Sequence, residues 1–91
     1  MRRRRIIHAS DTNQKAIVAA LRAVGATVDI IGEPVDLLVG YRSRNYLLEV
    51  KRHPKAPLQP SQEQFFAEWR GTVTRVNSVS EALAAIGIQQ Q

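Results

Sequence analysis

Two short apolar runs, Val35-Asp36-Leu37-Leu38-Val39 and Tyr46-Leu47-Leu48-Glu49-Val50, flank the polar stretch Gly40 to Asn45, and each carries a single carboxylate. Apolar runs of this kind, bounded by turn residues, read as strands, and their succession makes a hairpin. Taking Gly40 to Asn45 as a six-residue loop pairs Val39 with Tyr46, and counting outward sets Asp36 directly across from Glu49. Opposed side chains on one face of an antiparallel pair have Cβ atoms about 4.5–5.5 Å apart, and like charges so placed repel. A charge embedded in an apolar strand is costly as well. A divalent cation relieves both problems, since hard ions such as Mg²⁺ are commonly held by one or two carboxylates, waters and substrate phosphate oxygens. Strand period two puts Lys51 on the face of Glu49, about 6.5–7 Å further along, with Tyr46, Leu48 and Val50 on the other face. An ammonium there could stabilise charge developing on a phosphorus oxyanion or assist deprotonation of the attacking water. The competing reading is a pair of solvent-facing edge charges with Lys51 guarding against aggregation.

The rest of the chain supplies a frame for that hairpin. Asp11 and Gln14 stand at capping-box spacing ahead of Ile17, Val18, Leu21 and Val24, so a helix is predicted over 11–24, closed by Gly25. Thr27 to Ile31 is β-branched and reads as a strand, broken by Gly32-Glu33-Pro34. Pro54, Pro57 and Pro60 exclude regular structure up to Ser61, after which Phe65, Phe66 and Trp69 mark the packed face of a second helix ending near Gly71. Val73 to Val76 is a fourth strand. Ser78 and Glu81 open a last helix through Ile86, closed by Gly87, and residues 88–91 form a frayed tail. The order α-β-β-β-α-β-α predicts one α/β domain over residues 1–91, a central mixed sheet flanked by helices, with residues 1–9 a basic arm, either flexible or a first strand.

Ninety-one residues bury only about 60–65% of the surface of the unfolded chain. With five aromatic residues among them, stability is expected to lean partly on self-association, a homodimer being the simplest form. The net charge of +5 points to a polyanionic partner, nucleic acid first, and Arg supplies ten of the thirteen basic residues, its planar fork suiting phosphate oxygens. The absence of cysteine excludes a disulfide framework, a thiolate zinc site and a Cys nucleophile, and fits a reducing cytoplasm. Met1 and Arg2 to Arg5 resemble the start of a signal peptide, but the apolar stretch of about 7–15 residues does not follow, and nothing approaches a membrane span. No Gly-rich phosphate loop appears, so no nucleotide cofactor is expected.

Pro34-Val35-Asp36, a strand-loop-strand, and then Glu49-Val50-Lys51 resemble the motif of the PD-(D/E)XK nuclease superfamily, with Val35 standing between Pro and Asp. In its length the chain is similar to the small stand-alone VRR-NUC-like and Holliday-junction-resolvase-like nucleases of phages and bacteria. The resemblance implies a restriction-endonuclease-like fold and Mg²⁺-dependent cleavage of DNA phosphodiesters, Mn²⁺ substituting, in the cytoplasm of a prokaryote or phage-infected host. It implies Asp36 and Glu49 as carboxylate ligands, Val50 as a ligand through its backbone carbonyl and Lys51 as the catalytic lysine. Gln62 resembles the glutamine that many members carry on the following helix, positioning the lysine or the scissile phosphate. Related nucleases often place a glutamate on the first helix, where this chain has Gln14, and an amide lacks the charge a hard cation prefers. The alternative is therefore a DNA-binding module on a nuclease fold with weak or no catalysis.

Basic residues offer phosphate contacts: Arg2, Arg3, Arg4 and Arg5 in the arm, Arg42 and Arg44 at the hairpin tip, and Arg52 and Lys55 beyond the motif, all expected to surround the site or track a DNA backbone. Trp69, Phe65 and Phe66 read as core rather than as a base-stacking platform. His8 and His53 lack zinc-site spacing.

Overall fold

The computed structural model describes residues 9–89, with side chains from Thr12 onward. The arm from Arg2 to Arg5, His8, and Gln90 and Gln91 lie outside the described residues. The elements are α1 (Ala9–Ala23), β1 (Thr27–Ile30), β2 (Leu37–Tyr41), β3 (Arg44–Val50), α2 (Pro60–Glu68), β4 (Val73–Val76) and α3 (Val79–Ala85), the predicted order. The sheet runs β1-β2-β3-β4, antiparallel except for the parallel pair β3 and β4. It is an α/β fold built on a mixed sheet.

Strand alternation divides the sheet into two faces. Val28, Leu37, Val39, Leu48, Val50 and Val76 point to one of them and are buried against Ile17, Val18 and Leu21 of α1 and Ala82 and Leu83 of α3. At about 25 cal/mol per Å² of apolar surface removed from water, this shared layer is the main stabilising term. The helices α1 and α3 pack together on that face. The helix α2 lies over the opposite face, reached by Leu38, Leu47 and Glu49, and has no buried residue of its own.

The β2–β3 register matches the expectation, with Val39 opposite Tyr46 and Leu37 opposite Leu48, but the connection is shorter. Tyr41 pairs with Arg44, so the turn is Arg42-Ser43, both with positive φ of 52° and 66°, the geometry of a two-residue hairpin turn. That conformation ordinarily selects Gly or Asn, which is why the tight turn was invisible in the sequence. The strand β2 starts at Leu37 rather than Val35, and the Asp36 carbonyl just before it accepts from the N–H groups of Ile31 and Gly32 at 2.9 and 3.2 Å.

Other boundaries differ as well. Already helical at Ala9, α1 contains Asp11 within it rather than capped by it. The first turn of α2 carries Pro60, whose missing N–H costs nothing there, and the Gln59 N–H donates to Gln62 Oε1 at 3.0 Å. Ser78 Oγ accepts from the Glu81 N–H at 3.0 Å, the expected cap of α3. Ile88 packs against the core and its N–H donates to Leu83 O at 2.9 Å, so the tail is not frayed at that residue. Phe65, Phe66 and Trp69 are not core: α2 covers a sheet face with no second helix above it, and Trp69 is 47% exposed. No helix among the described residues is long and apolar enough to cross a membrane.

Candidate active site

Asp36 precedes the first paired residue of β2, and continuing the observed register places it opposite Glu49. Its Oδ2 accepts from the Val50 N–H at 2.9 Å. In an antiparallel pair a residue's N–H and C=O address the same neighbour, so the Val50 carbonyl points to the Asp36 side, where β2 has not yet begun. The Asp36 carboxylate and the Val50 carbonyl thus lie together at the end of the β2–β3 pair.

Glu49 is 3% exposed, an unusual position for a carboxylate in so small a domain. Its Oε2 accepts from Gln62 Nε2 at 2.8 Å and lies 3.3 Å from Lys51 Nζ. Its Oε1 is buried and has no hydrogen-bond partner. Burial pushes the Glu49 carboxyl above the usual carboxylate range, the nearby Asp36 charge raises it further, and Lys51 and Gln62 draw it partly back. A bare carboxylate oxygen held in a low-dielectric site beside a second acid is poised for a cation.

Lys51, its side chain 13% exposed, is fixed from three directions. Nζ reaches Glu49 and donates to Gln62 Oε1 at 3.0 Å, and the Lys51 N–H donates to Val76 O at 2.9 Å. One Gln62 amide therefore donates to Glu49 while accepting from Lys51 and from the Gln59 N–H, orienting acid, base and helix start together.

Two residues that the sequence did not single out complete the frame. Asn13 Nδ2 on α1 donates at 2.9 Å to both Lys51 O and Asn77 O, tying the helix to the ends of β3 and β4 where the two strands leave the ladder. Arg75, paired with Glu49 across the parallel strands, donates to Pro54 O at 2.7 Å and to His53 O and Ala56 O, pinning the loop that carries Arg52 and Lys55. Asn13 sits in the polar run that opens α1, where nothing distinguishes it from its neighbours, and a lone Arg in a strand was the one hint of Arg75.

Gln14 is 7% exposed on α1, next to Asn13. Arg42 and Arg44 sit at the far end of the hairpin: at about 3.4 Å per residue, Arg44 is about 17 Å along β3 from Glu49. They do not surround the site, because the register that brings Asp36 to Glu49 sends the turn away from it. Among the described residues, no group of three or more His, Cys, Asp or Glu could hold a metal ion. The donor set is two carboxylates and a carbonyl, which fits a hard cation that completes its shell with water and phosphate oxygens.

No family model matches the chain, and no curated protein matches it. A solved structure described as a VRR_NUC domain is similar to it at a TM-score of 0.75 and 24% identity, over 88% of this chain and 96% of that one. The two share a fold over nearly their whole lengths.

Proposed function

We propose that this protein is a metal-dependent DNA endonuclease that hydrolyses phosphodiester bonds, acting on branched or junction DNA. The observation that carries this reading is the buried Glu49 with its unpartnered Oε1 opposite Asp36, beside a Lys51 held in place by Gln62. The fold shared with the VRR_NUC domain, a name that denotes a nuclease, supports it. Asp36, Glu49 and the Val50 carbonyl would hold Mg²⁺, with Mn²⁺ substituting. When bound, the ion supplies Lewis-acid polarisation of the phosphate and lowers the pKa of water. The Lys51 ammonium stabilises charge developing on the phosphate oxygens, and Gln62 keeps it aimed. Arg52 and Lys55 follow the strand beside the site, the hairpin-tip arginines contact backbone further along, and the Arg2 to Arg5 arm adds contacts without reading sequence. Symmetric cutting of a junction requires two such sites, which a homodimer would provide.

A DNA-binding module with little catalysis is the second reading, favoured by Gln14, an amide on the helix beside the site. Cleavage of labelled linear, single-stranded and four-way-junction DNA in Mg²⁺, Mn²⁺ or EDTA separates the two. Metal-dependent cutting that disappears in Asp36→Ala and Lys51→Ala is expected. Binding without cutting under every metal leaves only the second reading.

A further inference from the structure

We propose that the outer face of the sheet carries a nucleobase subsite, a groove that takes an unpaired base of the strand being cut. This rests on the nuclease reading above and narrows its substrate to DNA with an unpaired nucleotide near the scissile phosphate. The groove, about 570 Å³, is floored by Leu38 and Leu47 and walled by Pro34, Phe65 and Trp69, with the Asn45 side chain at its rim. That volume is in the range of small-ligand pockets, about 300–1,000 Å³. Phe65 and Trp69 stack with ring centroids 5.1 Å apart at 26°. Gly71 makes room for the indole beside Phe65: a Cβ there would meet Trp69 Nε1 at 2.7 Å with the ring where it lies. Gly40, across from Asn45, likewise leaves that end of the face open.

The chemistry of the lining selects the occupant. Among the described residues no Lys or Arg lines the groove, so its lining does not suit a phosphate, whereas its aromatic wall and apolar floor suit the uncharged face of a base and the Asn45 amide can pair with a base edge. Pro34 and Phe65 also line the adjoining cleft, and that cleft reaches Gln62, the residue bonded to both Glu49 and Lys51, so the groove lies next to the active site. Along α2, Trp69 is about 10 Å from Gln62, or about three nucleotides at the ~3.4 Å rise of a stacked strand. A duplex end cannot enter such a groove without unpairing; the unpaired strand of a flap or gap can.

Trp69 is the only tryptophan, so its emission reports on the groove directly. The test titrates the full-length protein, with Ca²⁺ in place of Mg²⁺ to leave DNA uncut, with a single-stranded oligonucleotide, a duplex bearing an unpaired overhang and a blunt duplex. Anisotropy of labelled DNA measures binding independently. Quenching of Trp69 by single-stranded and overhang DNA, weaker with blunt duplex, is expected. Trp69→Ala should weaken single-strand binding by about 5- to 100-fold, more than it weakens blunt-duplex binding. Leu38→Gln, a neutral polar change at a position 38% exposed, should also weaken it. Binding by anisotropy with unmoved tryptophan emission overturns the subsite while leaving the nuclease reading standing. Emission that changes with protein concentration alone, alongside a dimer in sedimentation, overturns it in favour of a second copy covering the groove. Absence of any DNA binding overturns the DNA reading itself.

Discussion

Replacing Asn13 by alanine removes one side-chain amide and two hydrogen bonds at once, because Nδ2 donates to Lys51 O and Asn77 O at 2.9 Å each. Each bond contributes about 1 kcal/mol net, and the two half-buried carbonyls left behind add part of their desolvation cost, for a total of about 2–3 kcal/mol. In a domain of this size each kcal/mol moves Tm by about 4–8 °C, so Asn13→Ala should melt about 10–20 °C lower, with a matching fall in the urea midpoint at unchanged slope. Asn13→Asp should be worse still by about 1 kcal/mol, since it sets a carboxylate against two carbonyl oxygens. Because one of those carbonyls belongs to Lys51, cleavage at a temperature where the variant is folded should also fall, by about tenfold, as it does when groups that orient metal-site residues are removed. Circular dichroism melts, urea titrations and single-turnover cleavage give all three numbers. An Asn13→Ala protein within about 0.5 kcal/mol of the parent, or an Asn13→Asp protein more stable than Asn13→Ala, would refute the clamp.

Gln62→Ala removes the donor to Glu49 and the acceptor for Lys51 together, and single-turnover cleavage should drop about 10- to 100-fold while the fold survives, as circular dichroism would show. In EDTA, the raised Glu49 pKa means the folded chain holds a proton over a pH range where the unfolded chain has lost it, so this contribution to stability should be full below the unfolded pKa and be lost as pH rises from there through the folded pKa. Melts across mildly acidic to neutral pH should show that slope in the parent and lose it in Glu49→Gln; identical profiles would remove the cause assigned to it. Ser43→Gly relieves a positive φ of 66° and should stabilise by about 0.5–1 kcal/mol, after the greater freedom of glycine in the unfolded chain is subtracted, as read by urea unfolding.

The opposition of Asp36 and Glu49 was legible by counting outward from a Val39–Tyr46 pair, and it survives the shorter turn because the hairpin gains two residues on each strand and so keeps its register. The turn itself was not legible, since Arg42 and Ser43 adopt their conformation under the pull of a ladder that continues to Tyr41 and Arg44 rather than from any local preference. Gln62 was suggested by its resemblance to the glutamine on the helix after the motif, not by its spacing, and its bonds to Lys51 and Glu49 reach across 11 and 13 residues. Asn13 and Arg75 bond to carbonyls 38 and 21 residues distant, and a backbone acceptor leaves no trace in the sequence. The aromatic residues of α2 were misread as core because hydrophobicity signals a preference for burial without saying whether another layer is there to bury it.

The assignment of Asp36 and Glu49 as the ion's ligands, and of Lys51 as the residue of the chemistry, is tested most directly by Mn²⁺ binding, followed by calorimetry on metal-stripped protein. Saturable binding should be present in the parent and in Lys51→Ala, and abolished in Asp36→Ala and Glu49→Gln, with cleavage lost in all three variants. Undiminished Mn²⁺ binding in both carboxylate variants, or cleavage that persists without Lys51, would contradict it.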